Sequence, residues 1–155
     1  MPLNWPGSNV NNAAEYQVAG VPFVTASVAN EVGTTTPIHV KLPQVSQWIV
    51  IVNPGDVRLR VGITNLGVQK KGGVLLSGSG GYTESPNYPS VGNTDSNYFT
   101  VKAADTSPVL HFRTKDLFFL ADSGTSEFEI IAGLTTVDRN LMVNLTGSRG
   151  FTGVG

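Results

Sequence analysis

The chain has 155 residues, a length that favours one domain with a core large enough to need no metal or disulfide. It contains no cysteine, which excludes disulfide scaffolds, thiolate zinc sites and cysteine nucleophiles. The net charge is −1 and only 14% of the residues are charged, so we expect no direct contact with nucleic acid and a surface suited to protein partners.

Residues 1–16 are predicted to form an extended arm, because they are polar, rich in asparagine and interrupted by Pro2 and Pro6. They lack the basic and apolar regions of a secretion signal, and no apolar run in the chain approaches the ~20 residues of a membrane span. We therefore expect synthesis in the cytoplasm and no membrane span. Trp5 either folds back onto the domain or docks on a neighbouring subunit.

Residues 21–29 and 34–42 are predicted strands, since apolar and polar or small side chains alternate along them. Pro22 indicates an edge or strand-entry position, because proline cannot donate to a central ladder.

Residues 46–63 are predicted to form a hairpin around which the rest of the chain is organised. The first strand is apolar on both faces, formed by Trp48, Val50 and Val52 on one side and by Ile49 and Ile51 on the other. The turn at 53–56 favours type II, with a positive φ at Gly55. In the return strand Arg58 and Arg60 are expected on the wetter face, opposite Val57, Leu59, Val61 and Ile63.

Residues 64–96 are rich in glycine and proline and read as one long loop. A connection of this length inside a compact domain is usually functional or mobile. Tyr82 and Tyr88 lie among small polar residues, a composition typical of adaptable recognition surfaces. The alternative is an insertion that only decorates one end of the fold.

The C-terminal half predicts further strands at 97–102, 109–113, 116–121 and 126–137, a turn at 105–108 and one more short strand at 141–143. In the strand at 126–137 the inward side chains are expected to be Phe128, Ile130, Ala132 and Leu134, with Glu127 and Glu129 outward.

About eight strands and no convincing helical period predict an all-β fold, a single jelly roll or another antiparallel β-sandwich with one long Gly-rich loop. An immunoglobulin-type sandwich is the alternative, but its cysteine framework is missing. The predicted organisation is an arm at 1–16, one domain at 17–143 that includes the loop at 64–96, and a flexible tail at 144–155.

The sequence offers little chemistry. His39 and His111 each lie on a predicted strand without a carboxylate or second histidine at ligand spacing. Glu127 and Glu129 share the outer face of one strand, where a solvated surface is expected rather than an acid pair. Asn144 begins a glycosylation sequon. We expect no catalytic residues, no cofactor, no metal and no enzyme activity.

A distributed set of segments nevertheless resembles a known family. These segments are residues 47–51, 53–55, 59–63, 97–99, 115–119 and 128–135. In that order they resemble the small single jelly-roll capsid proteins of large icosahedral DNA viruses, especially the penton proteins of five-fold vertices. The resemblance covers roughly residues 38–137.

The resemblance implies a structural protein of the virion, made in the host cytoplasm and placed at capsid vertices. Five copies would form a ring through heterologous contacts and would meet neighbouring major and minor capsid proteins. The family has no catalytic residues to transfer. Arg58 and Arg60 are candidates for pairing between subunits, and their alternative role is solubility.

A second hypothesis is a carbohydrate- or receptor-binding β-sandwich, such as a fibre or decoration domain. Such modules display aromatic platforms, for which Trp5, Tyr82 and Tyr88 are the candidates. A cupin-like metal enzyme is a more distant third, because its site needs several converging histidines and this chain has two.

Overall fold

The structure, a computed structural model, describes residues 20–71, 74–75 and 98–143. The predicted arm and tail and most of the predicted loop lie outside the described residues, so the predicted boundaries stay predictions. The strands are β1 (Val21–Ala26), β2 (Ile38–Lys41), β3 (Gln44–Asn53), β4 (Leu59–Gly62), β5 (Lys70–Lys71), β6 (Val74–Leu75), β7 (Phe99–Val101), β8 (Asp105–Thr106), β9 (Asp116–Ala121) and β10 (Glu129–Asp138). Helix α1 spans Asn65–Gln69, and a 3-10 helix spans Arg139–Leu141.

Eight of these strands form two antiparallel four-stranded sheets. The first sheet has the order β1-β10-β3-β8 and the second has the order β2-β9-β4-β7. Along the chain, successive strands of these eight lie in different sheets, except for β4 and β7. β4 and β7 are therefore the only two of the eight that follow one another along the chain and also pair with each other. Two sheets of four strands with such crossings form a jelly roll. The predicted fold class is confirmed.

The core lies between the two sheets and is built by the period-2 alternation of their strands. Phe119 of the second sheet stacks on Phe128, with ring centroids 4.1 Å apart and planes inclined by 12°. The predicted inward side chains of the last strand are all buried, namely Phe128, Ile130, Ala132 and Leu134. Pro22 lies on β1, an edge strand, as predicted.

The predicted hairpin at 46–63 is wrong. Its first strand is β3, which pairs with β10 and β8 in the first sheet, whereas its return strand is β4, which pairs with β7 and β9 in the second. The intervening residues are therefore a corner between sheets. Alternation along a strand shows which face is buried, but it does not show which sheet the strand joins.

Asn53 holds this corner together. Its buried amide Nδ2 donates to the carbonyl oxygens of Val57 and Lys102, both at 2.8 Å, and its Oδ1 accepts from Gly55 N–H at 3.1 Å and from the Ser126 hydroxyl at 3.0 Å. The positive φ predicted at Gly55 is absent, since among the described glycines only Gly124 adopts one. Glycine is needed at position 55 for space: a Cβ there would lie 2.5 Å from Ser126 Oγ.

The predicted strand at 109–113 is also wrong. This segment contributes one isolated bridge, between Leu110 and Ile49, while β8 occupies part of the predicted turn. The backbone N–H of Ile51 donates to the hydroxyl of Ser107 at 3.0 Å. The Ser107 side chain therefore accepts a hydrogen bond from β3 that a backbone carbonyl would accept in a regular sheet. For this reason the β3–β8 pairing does not continue regularly into residues 109–113.

Two short helical elements were not expected. The predicted strand at 141–143 is wrong: the chain forms the 3-10 helix instead, and the Asp138 carboxylate accepts a backbone N–H from its first turn at 2.8 Å. Within the predicted loop, α1 forms behind Thr64, whose hydroxyl accepts the N–H of Gly67 at 3.0 Å. In both places a side-chain oxygen accepts a backbone N–H at the start of a helical turn. Such a contact involves too few residues to appear as a hydrophobic periodicity in the sequence.

Candidate interaction surface

Of the five predicted interaction residues, the structure describes only Arg58 and Arg60; Trp5, Tyr82 and Tyr88 lie outside the described residues. Arg58 is exposed, which agrees with the predicted wet face. Arg60 is only 1% exposed, so its predicted position on that face is wrong.

Arg60 is buried because the outer side of β4 is covered. Its Nε donates to Asp122 Oδ1 at 2.9 Å, its Nη2 donates to the same oxygen, and its guanidinium lies 5.0 Å from the ring centroid of Tyr98. Nη1 is buried without a hydrogen-bond partner. The alternation correctly separates Arg60 from the core, but it does not reveal that the second face is also enclosed.

A second charged cluster lies at the other end of the second sheet. Asp116 Oδ1 lies 2.8 Å from His39 Nε2 and accepts from Arg139 Nη2 at 2.8 Å. The His39 ring stacks on Phe118, with centroids 4.2 Å apart. Sequence reasoning missed this contact, because His39 and Asp116 meet only through the β2–β9 register. The cluster ties two strands to the 3-10 helix.

Within the part of the chain that the structure describes, no three His, Asp or Glu side chains are close enough to hold a metal ion. No helix in those ranges is both long and apolar enough to cross a membrane.

The outer side of the first sheet carries mostly apolar side chains. Directly opposed residues of antiparallel strands share a face, and the alternate residues of β10 and β3 point into the core. The remaining side chains therefore form three outward rows, Pro22–Gly133–Trp48, Val24–Ile131–Val50 and Ala26–Glu129–Val52. We call these nine positions the apolar face. Glu129 is its one charged residue.

The apolar face is accessible at its centre. Val24 is 73% exposed and Ile131 is 44% exposed, while Trp48, Val50 and Val52 are half-buried. Of the two apolar sides of β3, only the side formed by Ile49 and Ile51 is therefore fully buried.

The outer side of the second sheet is different. Helix α1 packs directly against β4, since a Cβ on Gly62 would lie 3.0 Å from Val68 Cβ. The two charged clusters described above occupy the same side of the sheet. The second sheet is thus covered on its outer side at β4, whereas the first sheet presents apolar side chains on its outer side.

No protein-family model, curated protein or solved structure matches this chain. Its function is therefore inferred from the fold, the apolar face and the sequence resemblance.

Proposed function

We propose that this protein is a structural capsid component, the penton that closes the five-fold vertices of an icosahedral virion. It would do so through contacts between its own copies and with neighbouring major and minor capsid proteins. The single observation that supports this proposal most strongly is the jelly-roll strand order combined with an apolar sheet face. The resemblance of residues 38–137 to small jelly-roll capsid proteins points the same way.

The physical requirements of such a role are surfaces rather than reactive groups. A ring of five copies needs heterologous contacts, in which two different patches of each subunit meet. Permanent interfaces are depleted in Asp, Glu and Lys at their centres, and the apolar face has one charge in nine positions. Arg58 is exposed and is available for pairing at an interface rim, whereas the buried Arg60 is not.

The proposal is tested first by mass. The purified full-length chain is measured by light scattering and native mass spectrometry over a range of concentrations. A pentamer, or a mass that rises toward one, is the expected result.

The second test is location. Antibodies against the protein are applied to purified virus particles, and labelling is expected at vertices. A chain that is monomeric at every concentration and absent from particles would refute the proposal. Binding to glycans or to a cell-surface receptor, lost when Tyr82 and Tyr88 are both changed to Ala, would instead favour the receptor-binding hypothesis.

A further inference from the structure

We propose that residues 139–143 form a detachable strap, which opens from one end of the jelly roll while the two sheets stay folded. The strap consists of the 3-10 helix and the two residues that follow it. Opening would uncover the Lys115 amine and the Leu42 carbonyl, two polar groups beside the end of the β2–β9 pair. The proposal concerns the fold and does not depend on the penton role.

The strap is held to the rest of the domain by the charged groups of two side chains. Arg139 Nη1 donates to the Leu42 carbonyl at 2.9 Å, and Arg139 Nη2 donates to Asp116 Oδ1 at 2.8 Å. In the opposite direction, Lys115 Nζ donates to the Met142 carbonyl at 2.7 Å. These charge-assisted hydrogen bonds attach the strap to the sheet at both of its ends.

Apolar burial contributes little to this attachment. No residue of the 3-10 helix is buried, Leu141 is 47% exposed and Val143 is 63% exposed. Within the described ranges, no strap side chain belongs to the core between the sheets. The backbone N–H groups of Asn140 and Met142 donate to residues 138 and 139 rather than to a neighbouring strand. The strap therefore lacks the hydrophobic stabilisation that dominates the folding of the sheets.

The start of the strap coincides with a sharp change in packing. Val137 is fully buried and Asp138 still pairs with Gln44 of β3, but β10 ends at that pair. Segments with few buried apolar contacts open on their own, at a lower free energy than global unfolding requires. We therefore expect the strap to detach as one unit at the junction between Asp138 and Arg139.

The charged contacts make the opening sensitive to salt. The side chains of Arg139 and Asp116 are 25% and 22% exposed, so ions in the solvent screen their attraction. Asp116 also keeps a neighbour when the strap leaves, because His39 Nε2 lies 2.8 Å from the same carboxylate oxygen. Detachment therefore does not leave this carboxylate alone, and its cost is correspondingly lower.

Access of a lysine reagent to Lys115 measures the opening. Lys115 is 7% exposed, whereas Lys41 at the same end of the second sheet is exposed and reports the rate for an accessible lysine. The full-length chain is treated briefly with an acetylating reagent in increasing concentrations of urea. Mass spectrometry then gives the rate at each of the two lysines.

The expected rate at Lys115 is slower than at Lys41 by about tenfold or more, and it stays constant in urea well below the unfolding midpoint. The reason is that a local opening exposes little new surface, so urea hardly promotes it. A Lys115 rate that rises with urea in parallel with global unfolding would overturn the proposal. Equal rates at the two lysines would also overturn it, since the amine would then not be covered.

The variant that tests the attachment is Arg139→Gln, and its matched control is Lys102→Gln, which removes one positive charge from an exposed side chain outside the strap. Arg139→Gln is expected to raise the Lys115 rate about tenfold with little change in the urea midpoint, and the control to leave the rate unchanged. Raising sodium chloride from about 0.05 M to about 1 M should raise the rate about two- to fivefold in the wild type but not in Arg139→Gln.

A folded Arg139→Gln variant with the wild-type Lys115 rate would refute the strap. If that variant does not fold, the urea series on the wild type decides alone. Neither result bears on the mass of the assembly or on its presence in particles, so the penton role is tested separately.

Discussion

Replacing Asn53 with alanine tests whether the corner between the two sheets depends on one amide. Asn53 is fully buried, and its side chain makes four hydrogen bonds of 3.1 Å or less, two as donor and two as acceptor. These bonds join the end of β3 to the residues before β4, after β7 and before β10. The variant leaves polar groups in the corner without that partner and adds a small cavity.

Each such hydrogen bond contributes about 0.5–1.5 kcal/mol net, and the four share one side chain, so their contributions are not simply additive. We expect Asn53→Ala to lower the free energy of unfolding by about 2–4 kcal/mol, a large part of the 5–15 kcal/mol typical of a domain. For a chain of this size the melting temperature should fall by about 5–15 °C. Chemical denaturation followed by circular dichroism measures the change.

The matched control is Asn140→Ala, an exposed asparagine that should cost less than about 0.5 kcal/mol. A sharper variant is Asn53→Asp, which keeps the shape but turns a carboxylate oxygen toward two carbonyl groups. Burial and these carbonyls raise the pKa of the new carboxyl above its unfolded value of about 3.9. Its penalty is therefore full at neutral pH and declines as the pH falls through the folded pKa. A cost below about 1 kcal/mol for Asn53→Ala, or a pH-independent penalty for Asn53→Asp, would refute the reasoning.

Three further predictions follow from the same packing. Gly55→Ala should destabilise the fold by about 1–3 kcal/mol, because the new methyl group meets the Ser126 hydroxyl. The clash is tested by a double-mutant cycle with Ser126→Ala. If the losses of unfolding free energy in the two single variants simply add in the double variant, the clash is refuted. Asp122→Ala should cost more than Arg60→Met, since the first leaves a buried guanidinium without its carboxylate and the second leaves a carboxylate that is 28% exposed; equal costs in urea unfolding would contradict this order. Trp48→Ala should cost less than the about 3–5 kcal/mol of a fully buried aromatic, and a loss in that range would place Trp48 in the core.

The sequence predicted best those features that a single strand determines. The strand β9 matches its predicted bounds, and the inward side of β10 follows from the period of two that places Ile130, Ala132 and Leu134 on one face. Pro22 predicted an edge because a missing N–H restricts where a strand can lie. Each of these inferences uses only the covalent chain and its period.

The sequence could not predict features that depend on how distant strands meet. The segment 46–63 resembles a hairpin because adjacent strands with a short turn usually pair, but here the corner sends β4 to the other sheet. Arg60 looks solvent-facing by alternation, but Tyr98 and Asp122, both far along the chain, lie against its guanidinium. The contact between His39 and Asp116 likewise depends on the β2–β9 register. The apolar face is readable only once β1, β10 and β3 are known to be neighbours.

The position of the last two strands has a consequence for synthesis. β10 separates β1 from β3 and β9 separates β2 from β4, so neither sheet can be completed until these two strands, in the final third of the chain, have been made. At about 5–20 residues per second, β1 waits roughly 5–20 s on the ribosome for β10, its neighbour among the described strands. Folding is therefore expected to follow translation rather than accompany it, and contacts of such large sequence separation make it slow. A nonsense mutation just before β10 would not trim an edge; it would remove the strand that joins β1 to β3.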